Sequence, residues 1–159
     1  MIHCLFLTLG LVAACGVLLV SGKYWVEWYR RRELKRAYLD FRLRREQLEA
    51  RFLDLARSLG KPRGLRWLDC VWQDKIAFGR DRKTGMLTAF AGVNISFEAI
   101  EGEEMEDVAA VGTVREAAAM FHYRYGIWGT GGRALFNMDP ETALVRLGDQ
   151  YESIGFRSA

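Results

Sequence analysis

The opening stretch of this chain limits its possible architectures more than any other feature. Residues 2 to 22 read IHCLFLTLGLVAACGVLLVSG, without Asp, Glu, Lys or Arg, and eleven of them are Leu, Ile, Val or Phe. A helix rising about 1.5 Å per residue over this length covers roughly the 30 Å hydrocarbon core of a bilayer. Each large aliphatic residue favours insertion by about 0.3 to 0.6 kcal/mol, and no charge opposes it. The pattern predicts a transmembrane helix over residues 1–22. A cleaved secretory signal fits less well, because no Lys or Arg precedes the apolar run. The tetrapeptide Val12-Ala13-Ala14-Cys15 is similar to a lipobox in which Cys15 is lipidated. It too lacks the basic leader, and the chain stays apolar through Gly16-Val17-Leu18-Leu19-Val20 where a mature lipoprotein turns polar.

Charge then divides the chain. Residues 23–61 hold twelve basic and six acidic residues, a net of +6, whereas residues 62–159 hold eleven basic and fourteen acidic, a net of −3. The sequence pI of about 8.9 therefore belongs to the middle segment. The cations lie after the apolar run and none before it, so the positive-inside rule predicts a single-pass protein of the cell membrane, N-terminus outside and C-terminal domain cytoplasmic. Tyr24, Trp25, Trp28 and Tyr29, followed by Arg30, Arg31 and Arg32, have the composition of a headgroup-level collar, which makes membrane lipid an expected partner.

From Leu34 onward a seam recurs every 3.5 residues: Leu34, Tyr38, Phe41, Arg45, Leu48, Phe52, Leu55 and Leu59. Seven of these eight positions are apolar, the signature of a coiled-coil stalk and hence of a homodimer, with Arg45 setting the register. The competing expectation is one amphipathic helix packed on its own domain. Gly60-Lys61-Pro62-Arg63-Gly64 ends the helix in either case.

Residues 62–159 suffice for one modest core. Strict alternation from Met86 to Ala99 predicts a strand with Leu87, Ala89, Ala91, Val93, Ile95 and Phe97 on one face. Leu65–Trp72 and Ile76–Gly79 precede it across the turn Asp81–Gly85, while Glu116–Tyr125 and Arg133–Asn137 flank the glycine-rich stretch 126–132. Asp139-Pro140-Glu141 begins a helix whose face would carry Ala143, Leu144, Leu147, Tyr151 and Ile154, closed by Gly155-Phe156. The expected class is α+β: a transmembrane helix, a coiled-coil stalk, and a small antiparallel sheet with a C-terminal helix packed on it.

No motif for a specific chemistry stands out. Cys70 is the one cysteine and His122 the one histidine beyond the anchor and stalk, and no pair has zinc-ligand spacing. Glu101, Glu103, Glu104, Glu106 and Asp107 crowd one loop but lack the ligand order of a calcium site. Gly129–Gly132 precedes a strand and no Lys-Ser or Lys-Thr follows it, unlike a phosphate loop. Arg80, Arg82 and Lys83 sit at a hairpin tip on an acidic domain, a poor basis for binding nucleic acid. No catalytic residue, metal or cofactor is expected. The composition points to a membrane-anchored interaction or scaffold module with a protein partner; the alternative is a small enzyme or ligand-binding domain with a pocket near His122, Tyr123 and Trp128.

Overall fold

The computed structural model describes the backbone of residues 2–59, 65–102 and 113–155, with side chains in those stretches from residue 21 onward except that of Leu59. The chain divides into two compact units, Met1–Leu39 and Asp40–Ala159. The first is most of helix α1 (Ile2–Leu43). The second holds the end of α1, then α2 (Arg45–Leu59), β1 (Leu65–Asp81), β2 (Leu87–Ala99), β3 (Arg115–Arg124), β4 (Ile127–Phe136), α3 (Pro140–Arg146) and β5 (Tyr151–Ile154).

Two expectations are corrected here. Among the described residues, no helix is long and apolar enough to cross a membrane. The single-pass span over 1–22, the cell-membrane localisation and the orientation built on it are overturned by that finding. Helical backbone runs on from Ile2 through Gly22 to Leu43, and its described side chains include Lys23, Glu27, Arg30, Arg31, Arg32 and Glu33. The side chains of residues 1–20, where the span and the lipidation of Cys15 were expected, lie outside the described residues.

The second correction concerns the coiled-coil stalk. Phe41, Leu48 and Phe52 are buried within this single chain. The physical reason is the sheet, which presents an aromatic face that needs a cover of the same size. Phe52 stacks edge-on against Trp72, with ring centroids 5.4 Å apart, and lies 5.9 Å from Phe121; Phe41 lies 5.4 Å from Phe121 and 5.0 Å from Trp128. Such tilted and edge-on pairs each add about 0.5–1.5 kcal/mol beyond the area they bury. Arg45, expected to set the register, is engaged within this chain. Its guanidinium reaches Glu49, Asp74 and the Gln73 carbonyl. Leu34 and Tyr38 belong to the first unit, and the side chain of Leu59 is outside the described residues.

The sheet has the order β4-β3-β2-β1-β5 with every neighbour antiparallel, curled into a half-barrel. Its register follows from the period-two alternation of β2. Leu87, Ala89, Ala91 and Val93 oppose Tyr123, Phe121, Ala119 and Ala117, building the face that Phe41 and Phe52 cover. Thr88, Phe90 and Gly92 oppose His122, Met120 and Ala118 on the other face. There Phe90, Ala118 and Met120 pack with Ala143 and Leu144 of α3 and with Tyr151. Both faces are thus filled, one by large rings and one by a short helix over alanines.

β5 pairs only with Phe78–Asp81, which leaves the earlier part of β1 as an edge. That edge is blunted at its two register irregularities, between Trp67 and Asp69 and between Trp72 and Ile76. The carbonyls of the bulged residues Leu68 and Gln73 accept hydrogen bonds from Arg57 (3.1 Å) and Arg45 (2.6 Å) of α2, and Asp69 Oδ1 accepts from the Cys70 N–H. Across α2, Gly132 of β4 adopts φ +68° and lies against the helix backbone at Leu55 and Ala56.

Two local expectations also change. The glycine-rich stretch expected as a loop is mostly strand: Tyr125 (φ 52°) and Gly126 (φ 82°) form a two-residue turn and β4 begins at Ile127. Positive φ at both turn positions matches the twist of the flanking strands. The last helix stops at Arg146 instead of running through Ile154. Asp139 caps it as expected, its Oδ1 accepting from Thr142 N–H at 2.7 Å. Leu147 and Gly148 then turn the chain so that Tyr151–Ile154 pairs with β1. Tyr151 and Ile154 are three apart, a spacing that suits a helix face, but here the unpaired edge of β1 offers them a hydrogen-bonded partner. Phe156, expected in the cap, is outside the described residues.

Candidate functional site

The strongest surface feature belongs to the first unit. Tyr24, Trp25, Trp28 and Tyr29 are all more than half exposed, Tyr24 at 70% and Trp28 at 51%. Trp28 sits 6.1 Å from Trp25 and 6.2 Å from Tyr29, and the Arg32 guanidinium lies over the Trp28 ring at 4.7 Å. At about 100° per residue, the four rings fall within an arc of about 140°. Arg32, Lys35 and Arg36 continue the same arc toward the C-terminus, while Glu27 and Glu33 fall outside it. Rings followed by cations on one strip can meet an anionic, partly apolar surface, although Glu27 lines the same concavity as Tyr24, Trp25, Trp28 and Arg31. The band Tyr24, Trp25, Trp28, Tyr29, Arg30, Arg31 and Arg32 was legible in the sequence. Its one-sidedness needs the helix.

The second feature is a polar network on the α3 face of the sheet. Thr88 is fully buried, with Oγ1 3.2 Å from His122 Nδ1. The Tyr151 hydroxyl also bonds to Thr88 and takes a long hydrogen bond from Gln150 Nε2, whose side chain reaches Asp81 as well. Asp81 Oδ1 accepts from the backbone N–H of Lys83 and Thr84, bonds that hold its carboxyl below the usual range, that from Thr84 being the largest contribution. Four strands contribute to this chain of bonds, so no linear motif announces it. Burial lowers the pKa of His122, Arg133 adds to the shift and Asp81 opposes it.

The sign of that shift has a measurable consequence. With a folded pKa below the unfolded value of about 6.5, His122 takes up a proton more readily in the unfolded chain, so stability falls as pH drops below about 6.5. Denaturant midpoints at pH 7.5 and 5.5 should differ in the wild type and converge in His122→Gln. Asp81 and Asp139 have depressed pKa values and titrate below this window. Parallel pH profiles for the two proteins would rule His122 out as the source.

The remaining candidates separate. His122 faces α3, whereas Tyr123 and Trp128, with ring centroids 5.0 Å apart, lie on the face that Phe41 covers. The three share no pocket. Cys70 is half-buried and its thiol is pushed up to about 11, first by burial and then by Asp69, the opposite of an activated nucleophile. Among the described residues, no three of His, Cys, Asp and Glu are gathered to hold a metal ion. Glu103, Glu104, Glu106 and Asp107 lie outside the described residues. Arg80 and Arg82 at the hairpin tip donate to the carbonyls of Gly85 and Gly148, which makes them clamps on turns.

A third feature escaped the sequence: an open cleft of about 520 Å³ where the end of α2 meets the start of β1 and the end of β2. Its wall includes Leu68, 53% exposed, and its floor is the buried Trp67. Compared with known protein families, curated proteins and solved structures, the chain matches none.

Proposed function

We propose that this protein is a non-catalytic binding module that rests on an anionic lipid surface through one face of α1. The observation behind this reading is the strip in which Tyr24, Trp25, Trp28 and Tyr29 are exposed together and Arg32, Lys35 and Arg36 continue their arc. Exposed indole and phenol rings are amphipathic, apolar in body and polar at the tip, and settle at the headgroup level. Each cation near an anionic lipid surface adds about 1 kcal/mol, an attraction that salt screens. A surface contact of this kind asks nothing of the helix as a span. The sheet unit, filled on both faces, suits a rigid body carried at that surface.

Vesicle co-sedimentation of the full chain tests the reading. Binding should be tighter to phosphatidylcholine vesicles containing phosphatidylglycerol than to phosphatidylcholine alone, and the difference should shrink at high salt. The triple variant Arg32→Glu, Lys35→Glu, Arg36→Glu should lose about a hundredfold or more of the anionic preference, from three attractions of about 1 kcal/mol each. Equal binding to both vesicle types at low salt, unchanged in the triple variant, would defeat the proposal.

A further inference from the structure

We infer that the cleft between α2 and the start of β1 is a binding site for an anionic single-chain amphiphile, a fatty-acid carboxylate, with its head on Arg57 and its chain along Leu65, Leu68 and Ile100. The cleft's volume of about 520 Å³ falls in the range of ligand-sized sites, about 300–1,000 Å³. Leu68, 53% exposed, and Ile100, 36% exposed, form the apolar part of its solvent-facing wall, beside the charged Arg66 and Glu98. The floor is rigid, because the Trp67 ring is held 5.1 Å from Phe97 and 6.2 Å from Phe136.

Charge selects the head group. Two guanidinium groups line the cleft and they are differently committed. Arg66 is paired with Glu98. Arg57 donates one N–H to the Leu68 carbonyl at 3.1 Å. That bond orients the guanidinium at the cleft, and among the described residues Arg57 has no carboxylate partner. The Cys70 thiol, which also feels Arg57, is neutral at pH 7 because burial and Asp69 raise its pKa. Among the described residues Arg57 is thus left without an ion-pair partner, since Glu98, the carboxylate in the same lining, is taken by Arg66. A cationic head is repelled at Arg57 and a neutral hydroxyl accepts only a weaker hydrogen bond, whereas a carboxylate completes an ion-paired one there. The proposal is independent of the lipid-surface reading, since it uses none of the residues on α1.

The test is calorimetric titration of the full chain with decanoate below its micellar concentration, beside decanol and decyltrimethylammonium. Decanoate should bind saturably at one site, about tenfold or more tighter than either analogue, the size of one charge-assisted hydrogen bond. Arg57→Gln should bring decanoate down to the level of decanol, and Arg57→Lys should restore part of the preference. Trp25→Ala with Trp28→Ala, which alters only α1, should leave the saturable binding unchanged. Circular dichroism confirms that each variant is folded. Absence of saturable binding, equal affinity for all three probes, or retained preference in a folded Arg57→Gln would each overturn the assignment.

Discussion

Replacing Phe52 by Ala should lower the unfolding free energy by about 3–5 kcal/mol, the cost of emptying a fully buried aromatic site. Its ring has no exposed surface and touches Trp67, Trp72 and Phe121, which come from β1 and β3. The resulting cavity sits in the middle of the aromatic layer, where three large rings cannot collapse inward without leaving their own contacts. The melting temperature should fall by about 10 °C or more. The same experiment separates the two roles open to the heptad-spaced seam. Because Trp67, Trp72 and Phe121 of the same chain already enclose Phe52 completely, the denaturant midpoint should be independent of protein concentration in wild type and variant alike. A midpoint that rose with concentration in the wild type and lost that dependence in Phe52→Ala would instead place the ring between two copies.

Gly132→Val is expected to be nearly as costly, at about 2–5 kcal/mol. Two penalties combine at this position. The backbone has φ +68°, where an L side chain costs about 1–2 kcal/mol. A Cβ there would also stand 2.7 Å from the Ala56 nitrogen and 2.9 Å from the Leu55 carbonyl carbon. Those are backbone atoms of α2, which cannot swing aside as a side chain can, so the helix or β4 must shift at about 1–3 kcal/mol. Gly131, one residue earlier, is the control: its Cβ would meet nothing within 4 Å and its φ is not positive. Gly131→Ala should stay within about 0.5 kcal/mol of wild type. Both substitutions are read by urea denaturation. Equal losses at the two positions would show that the close approach of α2 to β4 is not what Gly132 serves.

These two positions show how differently the sequence speaks about neighbouring facts. The spacing of Phe41, Leu48 and Phe52 announces that one side of a helix is buried, and nothing in it names the partner. A period of 3.5 and a period of 3.6 diverge by only about 20° per heptad. Over so short a helix, a coiled-coil seam and a face laid on a sheet therefore read alike. The aromatic side of the sheet decides between them, and that side exists only once Trp67, Trp72, Phe121 and Trp128 from three strands stand on it. The seam was visible and its use was not. Gly132 is similar: a glycine-rich stretch signals permissive backbone, but the need for it comes from a helix more than seventy residues earlier in the chain.

The candidate sites divide along the same line. The aromatic and basic band on α1 is local in sequence, so residues 24 to 32 could be named from composition alone. The cleft at Arg57 and the network joining Asp81, Thr88, His122 and Tyr151 are assembled by strand pairing, and each member looks ordinary in its own segment.

What the sequence determined by itself is whatever depends on neighbours within a turn or two. This covers the partition of charge between residues 23–61 and 62–159, the alternation that builds β2, and the Asp139-Pro140 start of α3. Tertiary structure alone decided where the seam goes, that Tyr151–Ile154 is a strand, and which polar groups meet beneath α3. The physical reason is range. Capping, alternation and helical periodicity are set by backbone geometry over a few residues, whereas the choice of what covers a buried face is settled by which distant surface offers the larger apolar area and the unpaired backbone groups.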